Sequence, residues 1–226
     1  MAKKDAYLFF QPYVGSNYQH GIQGKRILVI GASFYCDKIH CPYFEQCTAG
    51  DTKAYDKICP EYKSRGLCLH DEPSYCVSET PRTYKIFASY LAEALDLNPD
   101  YDKVWDKLAF SNYVQHFLPK RSESFRNTLY GDLSETDFMA FKELVVKYMP
   151  HIIIVWGTVI NSPILHDGGL LVSKDELAET ESYIGRIRIT GVKHDIKIIN
   201  PYHPSSSTWF SDFPKFKKYI QTIIHN

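Results

Sequence analysis

Two polar residues combine a versatile side chain with a position where a folded chain would present it. Asn112 follows the apolar run Lys107–Ser111, and His203 lies in the turn Tyr202-His203-Pro204-Ser205 after Ile196–Ile199. An Asn amide both donates and accepts hydrogen bonds, so it can pair with the polar edge of a nucleobase. An imidazole can hold charge that develops on a ring oxygen. A lone Asn after a strand is ordinarily a turn residue, and a lone His-Pro a loop feature. Their weight therefore comes from a shared placement, alongside Gly31-Ala32-Ser33-Phe34-Tyr35, Tyr113, Gly157 and Thr158 at the ends of neighbouring apolar runs.

A second group with chemistry is the cysteines. All six (Cys36, Cys41, Cys47, Cys59, Cys68 and Cys76) fall in the 36–76 segment, separated by four, five, eleven, eight and seven residues. No short C-x₂-C hairpin is present. His40 and His70 are further potential ligands. Clustered cysteines in a reducing compartment more often bind metal than form disulfides. Zinc is the expected metal, with an iron–sulfur cluster or free thiols as alternatives.

The elements that must carry these residues follow a βα alternation. Lys25–Ile30 is a short apolar run closing on Gly31, as expected of a buried parallel strand. After Thr80-Pro81, residues Tyr84, Phe87, Ala88, Leu91, Ala92 and Leu95 recur at helical spacing. Lys107–Ser111 reads as the second strand. Ser134 with Asp137 opens another helix through Phe138, Phe141, Leu144, Val145 and Tyr148, which Pro150 ends. His151–Trp156 and Ile196–Ile199 are the third and fourth strands, and a last helix runs from about Ser211 through Phe216, Ile220 and Ile223. Residues Glu181–Thr190 add a hairpin arm. The expected fold is a three-layer α/β/α domain spanning 1–226, with a central, mainly parallel four-stranded sheet and the cysteine-rich insertion. In such sheets ligands bind beyond the carboxyl ends of the strands, where the strand order reverses.

Composition bounds the partners. The 226 residues carry 26 Lys+Arg and 26 Asp+Glu, so no global field draws the chain to nucleic acid or membrane, and any nucleic-acid contact must be local. No apolar run fits a signal peptide or a membrane span, which leads to the expectation of a cytoplasmic protein with no membrane partner, working as a monomer.

In sequence order these pieces resemble the uracil-DNA glycosylase superfamily. The chain has ILVIGASFY, LAFSNYVQHFLP, IIIVWG and NPYHPSSSTWF, spread from Arg26 to the C-terminus, and FSNYVQHFLPKR is similar to the bacterial iron–sulfur branch. The resemblance implies a DNA-repair glycosylase that hydrolyses the N-glycosidic bond of uracil or another damaged base in DNA. Asn112 would read the uracil edge, and His203 would hydrogen-bond the base oxygen as the bond breaks. Gly31, Ala32, Ser33, Phe34 and Tyr35 would form the base pocket, with Phe34 or Tyr35 stacking. The loop Pro204, Ser205, Ser206, Ser207 to Trp209 would press into DNA once the base is flipped out. Lys120, Arg121 and Arg126 are candidate phosphate contacts, as are Lys215, Lys217 and Lys218 at the start of the last helix, unless both groups are solvated faces.

The chain departs from that pattern at two places. Ala32 and Ser33 stand where the family has a carboxylate or amide and then a proline, to orient the attacking water. His116 stands where the iron–sulfur branch has a cluster cysteine, so that cluster does not carry over. Asp37 is the nearest alternative carboxylate. A missing general base costs typically ~10²–10⁴-fold, which leaves a non-catalytic nucleobase- or nucleic-acid-binding protein of the same fold, with a structural metal module, as the alternative. A serine hydrolase built on Ser33 and His203 is more distant, because no G-x-S-x-G elbow is present.

Overall fold

A computed structural model describes residues 7–8, 10–36, 82–115, 117–119, 133–160, 163–167, 169–174 and 184–225. Nine strands form within them: β1 (Tyr13–Val14), β2 (Ile27–Gly31), β3 (Phe34–Cys36), β4 (Leu108–Asn112), β5 (Phe117–Pro119), β6 (Ile152–Val155), β7 (Leu171–Lys174), β8 (Ile184–Ile187) and β9 (Ile196–Ile199). The helices are α1 (Arg82–Leu95), the short α2 (Tyr101–Trp105), α3 (Glu135–Tyr148) and α4 (Ser207–His225), with a π-helical turn at Pro163–Asp167.

The four apolar runs become the middle of the sheet because each is buried on both faces, as parallel strands must be. β4, β2, β6 and β9 lie side by side and parallel. Side chains alternate between two cores. Ile27, Val29, Leu108, Phe110, Ile152 and Ile154 pack with α1, α2 and α4; Leu28, Ile30, Ala109, Ile153, Val155 and Ile198 pack with α3. The chain is thus α/β with helices on both faces.

The sheet is larger and more mixed than the sequence suggests. It has seven strands in the order β1-β4-β2-β6-β9-β8-β7, rather than four. β1 adds antiparallel to β4 at one edge, and β8 and β7 add antiparallel beyond β9 at the other. Of these edge strands, β1 and β7 carry no periodic signal. β1 has only two residues, and β7 leaves Val172 exposed instead of alternating. The hairpin arm expected over Glu181–Thr190 contains β8, but its partner β7 lies well upstream. A separate parallel pair, β3 with β5, occupies stretches that read as loop.

The helices follow their signals closely. Arg82–Leu95 carries the periodic residues of α1 into the core. Ser134 and Asp137 form the reciprocal capping box of α3, and Met149 ends that helix in the left-handed conformation, just before Pro150. The last helix is the exception. It starts at Ser207 rather than Ser211, because Ser206 already acts as its cap: the Thr208 N–H donates to Ser206 Oγ at 3.2 Å. Lys215, Lys217 and Lys218 therefore lie in the middle of α4, not at its start.

Candidate functional site

Taken in chain order, the four parallel strands have the spatial order second-first-third-fourth, so the topology reverses between β2 and β6. The chain leaves these two adjacent strands in opposite directions. After β2 the next helix, α1, packs in one core; after β6, Ile160, Ile164 and Leu165 pack in the other. A crevice outside the carboxyl ends of such a pair is where open α/β sheets bind ligands.

Both candidate residues lean onto the glycines that close these strands. Asn112 ends β4, yet its Oδ1 lies over Gly31 so closely that a Cβ built on Gly31 would sit 2.3 Å from it. Phe110 Cζ would lie 3.0 Å from the same point. His203 lies against Gly157, with its own Cβ 3.6 Å from where a Gly157 Cβ would be. Gly157 also has φ +82, a left-handed backbone that disfavours a side chain. With strands ~4.8 Å apart, an amide over β2 and an imidazole over β6 are separated by roughly one to two strand spacings.

Asn112 is 5% exposed, with its Oδ1 held over Gly31. The loop that follows is buried too: Tyr113, Val114 and Gln115 are all in the interior, as is Ser111 just before Asn112. It is tied to the neighbouring loop by Tyr113 N–H to Gly31 O and Val114 N–H to Ala32 O, each 2.9 Å.

His203 has a defined tautomer. The Ser205 N–H donates to its Nδ1 at 3.3 Å, and the Ser205 hydroxyl lies 2.7 Å from the same nitrogen. Nδ1 is then the acceptor, and Nε2 carries the proton of a neutral ring. Burial pushes the imidazole pKa down to about 4, so the ring is neutral at pH 7. The edge of Trp156 packs against it, with centroids 5.8 Å apart at 81°. The loop that carries His203 is pinned by Gly157 N–H to Pro201 O (3.0 Å) and by the Asn200 amide, which donates to Val155 O (2.9 Å) and Gly157 O (2.5 Å).

Of the residues expected to press into DNA, Ser205 and Ser207 are exposed and Ser206 is half-buried, but Pro204 is buried. Trp209 is a correction. Its indole is 1% exposed and packs with Phe87, Tyr90 and Phe216, because it lies on the inner face of the first turn of α4. The exposed aromatic next to this loop is Phe210, 50% accessible and edge-on to Tyr90 at 5.9 Å. Ala32 and Ser33 lie half-buried at the rim, and Phe34 and Tyr35 are in β3. Cys36 is in β3 as well. Asp37, Cys41, Cys47, Cys59, Cys68, Cys76, His116, Lys120, Arg121 and Arg126 lie outside the described residues. Among those described, no group of three or more His, Cys, Asp or Glu side chains is arranged to hold a metal.

Three residues escaped sequence reasoning. Trp156 Nε1 and Asn200 Oδ1 are buried without a partner among the described residues, beside His203 and Gly157 respectively. Gln115 bonds the carbonyl of Asn112. Only Asn200 carried a signal, as an Asn directly after a strand. Neither a family model nor a curated protein matches this sequence, so function has to be read from the site itself.

Proposed function

We propose that the chain binds an extruded nucleobase in the crevice between β2 and β6 and hydrolyses the N-glycosidic bond of uracil, or another damaged base, in DNA. The observation that carries this is the placement of Asn112, buried with its amide over Gly31, and of a neutral His203 that offers Nε2–H against Gly157, on either side of the topological switch point. An amide that donates and accepts matches the adjacent carbonyl and N–H on a uracil edge. As the bond between the sugar carbon and the base nitrogen breaks, the electron pair leaves on the base and charge gathers on its oxygens. A hydrogen bond from Nε2–H to an ionised oxygen is stronger than one to the ground-state carbonyl, so His203 acts on rate more than on binding. Water forms the new bond to the sugar carbon and releases its proton to solvent, from which the departed base anion is protonated. No carboxylate stands at Ala32 or Ser33 to take the water's proton, so turnover is slow.

The same feature at Ala32 and Ser33 favours a second reading, in which the site binds a nucleobase without chemistry. The two are separated by incubating excess protein with uracil-containing single- and double-stranded oligonucleotides and cleaving the abasic sites formed. We expect slow excision, fastest on the single strand, where no pairing energy opposes extrusion, and a loss of ~10²–10³-fold in His203→Ala. Base binding with no excision leaves only the binder. Neither binding nor excision would overturn both.

A further inference from the structure

The peptide group that follows Asn112 is held on every side. Its carbonyl accepts from Gln115 Nε2 at 2.8 Å and from Ser111 Oγ at 3.3 Å, and its N–H, that of Tyr113, donates to Gly31 O. The Gln115 side chain is fixed in turn, because its Oε1 accepts the Phe10 N–H at 3.1 Å. Its backbone N–H donates to Asp137 Oδ1 at 2.8 Å. Asp137 is 1% exposed, and its other oxygen accepts the N–H (3.0 Å) and hydroxyl (2.7 Å) of Ser134. One carboxylate thus caps α3 and anchors the loop that carries the candidate base reader.

Satisfying a buried loop explains why these bonds exist, but not where they converge. A loop can meet its polar needs with water or with any neighbour. Here the Gln115 donor goes to the carbonyl of Asn112 itself, while Gly31 leaves space for the Asn112 amide. With the peptide immobilised, only two side-chain torsions remain free in Asn112, and the packing over Gly31 and Phe110 restricts them.

We infer that Gln115, anchored by the Asp137 carboxylate at the N-terminus of α3, is the positioning residue that sets the angle at which Asn112 meets a pyrimidine edge. This rests on the base-binding site proposed above. Gln115 touches no ligand; it acts through Asn112. Its replacement should damage recognition of the base while sparing contacts to the DNA backbone.

The test measures two affinities in the full-length protein: free uracil, which engages the base reader alone, and single-stranded DNA carrying an abasic-site analogue, which lacks the base. In Gln115→Glu the side chain can still accept from Phe10 but cannot donate to Asn112. Gln115→Met, uncharged and of similar length, guards against the effects of a buried charge. We expect both variants to bind uracil ~5–10-fold more weakly, with abasic-site affinity unchanged within twofold. A substitution that merely lowered the folded fraction would weaken both affinities in the same proportion, and that result overturns the inference. So does wild-type uracil affinity in both variants while Asn112→Ala loses it, which leaves the base site standing. If wild type and Asn112→Ala bind uracil equally, or neither binds, the base site and its positioning residue fall together.

Discussion

At Gly31 the site depends on a missing side chain. A methyl there would overlap Asn112 Oδ1 at 2.3 Å and press on Phe110, and the fixed peptide beyond Asn112 leaves the amide little room to retreat. Gly31→Ala should therefore abolish detectable uracil binding in a calorimetric titration while the protein still folds, at a cost of ~1–3 kcal/mol from overpacking. Uracil binding at the wild-type level in this variant would show that Asn112 does not read the base. His203 offers a second residue-scale check. Two donors from Ser205 on Nδ1, together with burial, favour the neutral ring, so its NMR titration should centre near 4 rather than the ordinary 6.5. Ser205→Ala removes one of those donors and should move the midpoint upward.

At the scale of elements, the join between β6 and β9 depends on Asn200, whose amide bonds Val155 O and Gly157 O from within the core. Asn200→Ala leaves those carbonyls unpaired, and chemical denaturation should report a loss of ~1–3 kcal/mol. The start of α4 has a different role. Because Trp209 is committed to the core, the exposed side chains there include Ser205, Ser207 and Phe210, the surface we propose for DNA contact. Phe210→Ala should weaken binding to single-stranded DNA by ~1–3 kcal/mol, the usual worth of one base–aromatic stack, in fluorescence anisotropy. Unchanged binding would remove Phe210 from the interface. The cysteine-rich 36–76 segment carries a sequence-level prediction of its own. Purified protein should contain close to one equivalent of zinc, or failing that iron, by elemental analysis, and six freely titrating thiols with no metal would refute it.

For the whole molecule, two histidines set the response to acid. His151, below the sheet at the start of β6, accepts the Arg26 N–H on Nδ1 at 3.0 Å and stacks on His194 with centroids 4.9 Å apart. Burial, with the positive charges of Arg26, His194 and Lys25, pushes its pKa down to about 4. Both His151 and His203 therefore take up a proton in the unfolded chain near 6.5 but in the folded chain only near 4. Their contribution to stability is complete above about 6.5 and lost as the pH falls from there to about 4. Thermal melts should show the midpoint falling through this window, and a double His151→Gln, His203→Gln variant should flatten that decline. Charge acts differently on DNA affinity. With 26 cationic and 26 anionic side chains, binding should weaken only modestly with salt.

The sequence by itself determined the elements whose signals are local. Four doubly buried apolar runs could only be inner strands, the spacing of Tyr84 to Leu95 could only be a core-facing helix, and Ser134 with Asp137 set the start of α3. It also put Asn112 and His203 near strand ends, since Asn112 directly follows one such run and His203 lies four residues beyond another. The tertiary structure decided what depends on contacts between distant segments. Edge strands as short as Tyr13–Val14 exist only because a neighbour offers a ladder, so the seven-stranded order had no local signature. Trp209 reads as a loop residue until helix α4 begins four residues earlier than its periodicity suggests and turns the indole inward. The second use of the Asp137 carboxylate, 22 positions from Gln115, and the approach of Asn112 to Gly31 across a strand boundary are likewise unreadable from composition or spacing. Each depends on which strands become neighbours, and strand adjacency is set by the packing of the whole sheet between its helices rather than by any stretch of chain within it.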